Sequence, residues 1–196
     1  MEETKKEDRR IRYTRLALRQ SLLELMRSRP IDKITVKEIC AHADINRGTF
    51  YTHFSSPYDL LQQIENELYD ALDRSLAETP LRSCALSALL LELFGLIAKN
   101  EDLCRILFSE YGDKVFLRRI VDIARDKCME EWHPQMPSAD RGTLDQLYTF
   151  IATGSVSLIQ LWIQNGMTEP PETLAKLLNR ISQGVLQSVS EERPST

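Results

Sequence analysis

The sequence predicts an all-α protein, and three observations carry that prediction. Leu, Ala, Ile, Glu, Gln and Arg dominate its 196 residues, a mix weighted towards helix formers, against only seven glycines and eight prolines. Apolar residues recur at intervals of three and four, while the strict alternation of a half-buried strand is scarce. The prolines at 30, 57, 80, 134, 137, 170 and 171 fall between the periodic stretches rather than inside them.

The elements follow in order. Residues 10–29 form a first helix with a stripe of Leu18, Leu22, Leu25 and Met26, stopped by Pro30. Thr35 and Glu38 have the capping-box spacing that opens a second. Ala43-Asp44-Ile45 is a turn, and Asn46 is a good cap for a third helix. Ser55 or Ser56, followed by Pro57, starts a fourth helix; it runs to Glu78 with Leu60, Leu61, Ile64, Leu68 and Leu72 on one side. Further helices are expected over 86–99, 101–109, 113–132 and 143–164, the last ended by Gly166. A final helix over 172–189 follows Pro170-Pro171, residues 191–196 read as a frayed tail, and the total is about nine helices.

Composition bounds the function. Hydrophobic residues make up 42% and charged residues 28%, an ordinary globular balance. No apolar run approaches the roughly 20 residues that span a bilayer, and the charged N-terminus has no apolar stretch behind it. A cytoplasmic protein without membrane association is therefore expected. Cys40, Cys84, Cys104 and Cys128 lie among apolar residues with no C-x-x-C pair, as buried free thiols would. No two glycines are close enough to cradle a phosphate, and His42, His53 and His133 lack metal-ligand spacing. We expect no enzyme, no cofactor and no metal, although a catalytic triad dispersed along a chain leaves no local signature. The net charge is −4, but residues 1–56 carry +4 and residues 57–196 carry −8. A basic head on an acidic body suits orientation on a polyanion.

Residues 35–54 are the most informative stretch. Val36, Ile39, Cys40, Ala43, Ile45, Phe50 and Phe54 supply the apolar inner face of a helix-turn-helix. Asn46, Arg47, Thr49 and Thr52 are left facing outward, where a second helix enters the DNA major groove. Gly48 costs about 0.8–1 kcal/mol relative to alanine within a helix, which suggests a need for close backbone approach. Arg47 can make a bidentate contact with guanine. Tyr51 and His53 can donate to phosphates.

Across residues 12–62 the chain resembles the TetR family of bacterial transcription regulators. The pattern T-x-x-x-I-A-x-x-A-G-V-S-x-G-T-x-Y-x-Y-F-x-x-K-x-x-L is met at Thr35, Ile39, Ala43, Ile45, Gly48, Thr49, Tyr51, Phe54 and Leu60, and Thr14-Arg15 matches the polar start of the family's first helix. The resemblance adds Thr14, Arg15 and Thr35 to the expected DNA-binding set. Asp44 stands for the turn glycine, Asn46 for the usual serine, His53 for the second tyrosine and Pro57 for a phosphate-gripping lysine. No phosphate contact is assigned to Pro57; Arg12, Arg15 or the Lys5-Lys6 arm could compensate.

The resemblance implies a three-helix DNA-binding domain (residues 1–56, with its N-terminal arm) and a larger helical effector-binding and dimerisation domain (57–190). Phe94, Phe108, Tyr111, Phe116, Trp132, Tyr148 and Trp162 are the candidate liners of an effector pocket. The apolar residues of the last two long helices exceed what one buried stripe needs. Leu147, Ile151, Gly154, Leu158 and Leu161, with Leu174, Leu178, Ile181 and Val185, form the expected homodimer interface, a four-helix bundle by resemblance. The expected function is that of a dimeric, sequence-specific transcriptional regulator of double-stranded DNA, a repressor released by a small molecule. The alternative is a helical adaptor, or an activator subunit, with weakened DNA binding.

Overall fold

The computed structural model describes residues 2–78, 85–123 and 125–190. The described residues are all-α, as expected. They form α1 (Glu2–Met26), a 3-10 turn (Ile31–Lys33), α2 (Val36–Ala43), α3 (Arg47–Tyr51), α4 (Pro57–Glu78), α5 (Ala85–Lys99) and α6 (Glu101–Leu107). Then come α7 (Lys114–Ile123), α8 (Arg125–Trp132), α9 (Arg141–Gln164) and α10 (Pro171–Ser190). The single helix expected over 113–132 corresponds to α7 and α8, which flank residue 124, outside the described residues. None of the described helices is long and apolar enough to cross a membrane.

α1 begins at Glu2, eight residues before the expected start, and two further helix ends differ from expectation for local reasons. α1 stops at Met26 rather than Arg29; Arg27 and Ser28 close its end by donating to the Glu24 and Leu25 carbonyls. The conformation before Pro30 is disfavoured for helix, so the chain unwinds early. α9 starts at Arg141, two residues before the expected start, because the Asp140 carboxylate caps it by accepting from the Thr143 amide at 2.7 Å.

The chain divides into two compact units: residues 1–69 with 106–113, and residues 70–105 with 114–196. The split falls inside α4, so the first turns of that helix belong with the head. In the first unit, Leu18, Leu22 and Met26 of α1 are fully buried, with Ile39, Phe50, Leu60 and Ile64 also in the core. Each such side chain contributes about 1.5–3 kcal/mol of transfer free energy. This core sets how α1, α2 and α3 pack, and so fixes which face of α3 stays outside. In the second unit α10 packs against α5 and α9, and α8 against α5, α7 and α9. Cys40, Cys104 and Cys128 are buried free thiols; Cys84 lies outside the described residues.

Candidate nucleic-acid interface

Both helices of the helix-turn-helix are capped by their own side chains. At α2 the capping box is complete: the Thr35 amide donates to Glu38 Oε2 at 2.9 Å, and the Glu38 amide donates to Thr35 Oγ1 at 3.3 Å. The Thr35 hydroxyl also donates to Glu38 Oε2 at 2.7 Å, and Arg29 donates to Glu38 Oε1 at 2.9 Å. Hydrogen bonds from Thr35, side chain and backbone, and then from Arg29, hold the Glu38 carboxyl down at about 2. The Thr35 hydroxyl, expected at the DNA, is thus engaged in holding the cap.

The turn places Asp44 in the left-handed region, at φ 53° and ψ 45°. This is the conformation that the substituted glycine would adopt freely, and Asp is among the few other residues that tolerate it. At α3, Asn46 Oδ1 accepts from the Gly48 amide at 2.7 Å. A β-carbon at Gly48 would lie 3.3 Å from that same oxygen. Glycine therefore keeps the cap relaxed, a reason the sequence alone did not reveal.

Asn46, Arg47, Gly48, Thr49, Tyr51 and Thr52 are all exposed, and His53 is half-buried. Phe50 and Phe54, by contrast, are buried. Tyr51 stands edge-on to Phe50 (ring centroids 5.6 Å apart) and remains 59% exposed, so its hydroxyl end is free to reach outward. Thr14 is half-buried. Arg15 is held within the head: it donates to Gln63 Oε1 at 2.8 Å and stacks over Phe54 at 5.7 Å. At the start of α4, Ser56 is the capping serine, accepting from the Asp59 amide at 3.1 Å. The Asp59 carboxylate in turn accepts from the Ser55 amide at 2.7 Å, the main reason its pKa is lowered. Pro57 occupies the first helical position, where its missing N–H costs nothing.

The second unit holds a half-open cavity of about 70 Å³ lined by α4, α5, α7, α8 and α9. Of the seven aromatics expected around a pocket, Trp132 and Tyr148 line it. The others are placed elsewhere for identifiable reasons. Phe94 and Trp162 pack edge-to-face at 5.3 Å, and the Trp162 indole N–H donates to the Glu169 carbonyl. Phe116 is buried outside the cavity lining, and Phe108 and Tyr111 group with the first unit. Helical spacing could not separate these cases, because core and cavity wall share one apolar pattern. The aliphatic liners Ile120, Ile151 and Ile159 were missed as pocket residues for the same reason.

α9 and α10 also leave an apolar surface uncovered. Phe150, Leu161, Leu177 and Ile181 are 42–66% exposed, and Gly154 is exposed among them. Leu158 and Val185 are half-buried. Leu147, Ile151, Leu174 and Leu178, expected in the same face, are instead buried within the chain's own body. They sit on the inward side of helices whose two sides are both apolar. Phe150 was overlooked for that reason.

A helix-turn-helix head with a capped, exposed recognition helix, joined to a helical body, defines a class of DNA-binding regulator. Residues 20–64 match the bacterial regulatory proteins of the tetR family, and residues 85–184 match a transcriptional regulator C-terminal region of the same family. The chain belongs to the TetR family of bacterial transcription regulators, whose members are regulators and not enzymes. It is 26% identical over 184 residues to the HTH-type transcriptional regulator YxbF of Bacillus subtilis, covering 89% of this chain and 46% of YxbF. The chain thus spans about half the length of the curated relative it matches. Its fold is similar to that of a TetR regulator from Streptococcus agalactiae (TM-score 0.66, 20% identity, 91% and 98% of the two chains). It is also similar to the transcriptional regulator FadR of Bacillus subtilis in complex with stearoyl-CoA (TM-score 0.61, 16% identity, 91% and 98%).

Proposed function

We propose that this TetR-family regulator acts as a homodimeric repressor, reading an operator through residues 1–56 and releasing it when residues 57–190 bind a small molecule. The observation that carries the reading is the run Asn46-Arg47-Gly48-Thr49, wholly exposed on a capped helix whose other side anchors the core. In this reading Arg47 contacts a base edge, Asn46, Thr49 and Thr52 contact bases or backbone, and Gly48 lets the main chain approach. Tyr51 and His53 grip phosphates. Thr35 and Thr14 flank the phosphate track. Arg15 contributes charge from its place over Phe54.

Two heads are needed because one helix-turn-helix touches only a few base pairs; half-sites lie about 34–36 Å apart. The uncovered apolar face of α9 and α10 supports pairing there, through Gly154, Leu158, Leu161, Ile181 and Val185 with Phe150 and Leu177 added. Leu147, Ile151, Leu174 and Leu178 back that face from inside. The cavity, and the stearoyl-CoA held by FadR, support a body that binds an effector. A ligand that prefers one head spacing over another shifts DNA affinity by that preference.

The test is a gel shift against DNA flanking the gene, repeated across salt concentrations. Operator affinity should fall by about 0.9 log unit per log unit of salt for each phosphate neutralised. Absent or salt-independent binding would leave the adaptor reading standing instead.

A further inference from the structure

We propose that the cavity in the body takes an uncharged, largely apolar molecule of about single-ring size and discriminates against carboxylates and phosphates. This rests on the effector reading above and narrows it to a ligand class. The lining is mostly aliphatic, with Leu90, Leu93, Ile120, Val156 and Ile159 in it, and Trp132 joins them. None of the described lining residues is Asp, Glu, Lys or Arg.

The polar atoms that the described lining offers belong to Tyr148, Ser155 and Cys128. The Tyr148 hydroxyl already donates its proton to the Val121 carbonyl, so it presents only lone pairs to a guest. Burial pushes the Cys128 thiol up to about 12 and raises the Tyr148 phenol as well, so both stay neutral. An anion entering this half-open space would give up part of its hydration shell and meet no cation among these walls, which is why a charged head group is disfavoured. Ser155 gives a neutral guest one hydroxyl to address. The stearoyl-CoA of the fold neighbour carries phosphates for which these lining residues offer no partner.

Size sets an upper bound on the guest. At about 70 Å³ the cavity is smaller than the roughly 150 Å³ that lets an apolar engineered cavity hold benzene. A ring-sized guest must therefore push the walls apart, and wall movement is what a ligand-responsive body needs. Ala152 is the smallest side chain in the lining. Enlarging it fills the space that the guest would claim.

The experiment uses the full chain carrying Trp162→Phe, which keeps a ring against Phe94 and leaves Trp132 as the sole tryptophan emitter. Toluene, benzyl alcohol and benzoate are titrated while Trp132 fluorescence is followed. Toluene and benzyl alcohol should give saturable changes, with benzoate at least tenfold weaker. Ala152→Leu should abolish the response with the helical signal intact; should that variant fail to fold, Ser155→Leu fills the cavity from the adjoining turn of α9. Ser155→Ala should weaken benzyl alcohol and leave toluene unchanged. Benzoate binding as tightly as benzyl alcohol, neutral probes that never saturate, or a filled cavity that still responds would each overturn the proposal. A parallel gel shift separates the two levels. Saturating toluene that leaves operator binding intact counts against effector release but not against the ligand class. Benzoate releasing DNA while toluene does not bind sinks the class and leaves the regulator standing.

Discussion

Asp44 holds the helix-turn-helix turn at φ 53°, a conformation costing a side-chain-bearing residue roughly 1–2 kcal/mol. Asp44→Gly should therefore stabilise the head by up to about 1 kcal/mol, the relief being partly offset by the greater freedom of glycine in the unfolded chain. Thermal melts should show the gain, and Asp44→Val should lose stability by a similar amount or more. Four residues on, Gly48 makes the opposite case. Its φ lies outside the left-handed region, yet an added methyl would crowd the Asn46 cap at 3.3 Å. Arg47 has neither constraint; it is exposed on the outer surface of α3. Arg47→Ala should leave the melting temperature unchanged and cost about 1–3 kcal/mol of operator binding, with relaxed preference at one base pair. Equal losses on every DNA sequence would show that Arg47 reads only the backbone.

At the scale of elements, α2 depends on a carboxylate whose pKa is lowered from its ordinary 4.5 to about 2 by the Thr35 and Arg29 hydrogen bonds. A depressed carboxylate contributes stability that is fully present above its unfolded pKa and is lost as pH falls through its folded value. The stability difference between the native protein and Glu38→Gln should accordingly be constant above pH 4.5 and shrink as pH falls towards about 2. Acid titration of the two melts checks this, and a difference that persists down to pH 2 would remove Glu38 from the account. That cap was legible in the sequence, as were the Asn46 cap and the proline start of α4, because capping is written in residues only a few positions apart. What the sequence concealed depends on distant contacts. Trp132 and Tyr148 could not be told from Phe94 and Trp162, since cavity wall and core differ only in what lies opposite them. Gly112 was similarly opaque. A β-carbon there would sit 1.9 Å from the Leu107 carbonyl oxygen, so the turn after α6 closes too tightly for any side chain. Gly112→Ala should force the backbone aside and destabilise the protein by about 1–3 kcal/mol, comparable to overpacking a core.

For the whole molecule, the decisive quantity is whether two heads are delivered to one duplex. Leu161 (51% exposed) and Ile181 (47%) lie on the uncovered side of α9 and α10, where a monomer gains nothing from them. Leu147 and Leu178, on the same helices, are buried already, so substituting them would confuse pairing with folding. The informative change is therefore Leu161→Glu with Ile181→Glu. In one chain these carboxylates stay in water and should cost the fold of that chain little, as surface substitutions generally do within about ±0.5 kcal/mol, so the helical signal should stay intact although the stabilisation from pairing is lost. In a symmetric pair each substitution occurs twice, and burying unpaired carboxylates carries a cost of several kcal/mol per ion. Sedimentation at micromolar concentration should show the variant at half the native mass. Its operator affinity should fall while the salt dependence of the remaining binding roughly halves, because half the phosphate contacts go with the second head. A variant that keeps the native mass would place the pairing surface elsewhere. A native protein already monomeric at that concentration would remove the need for this face, and the two-head reading with it.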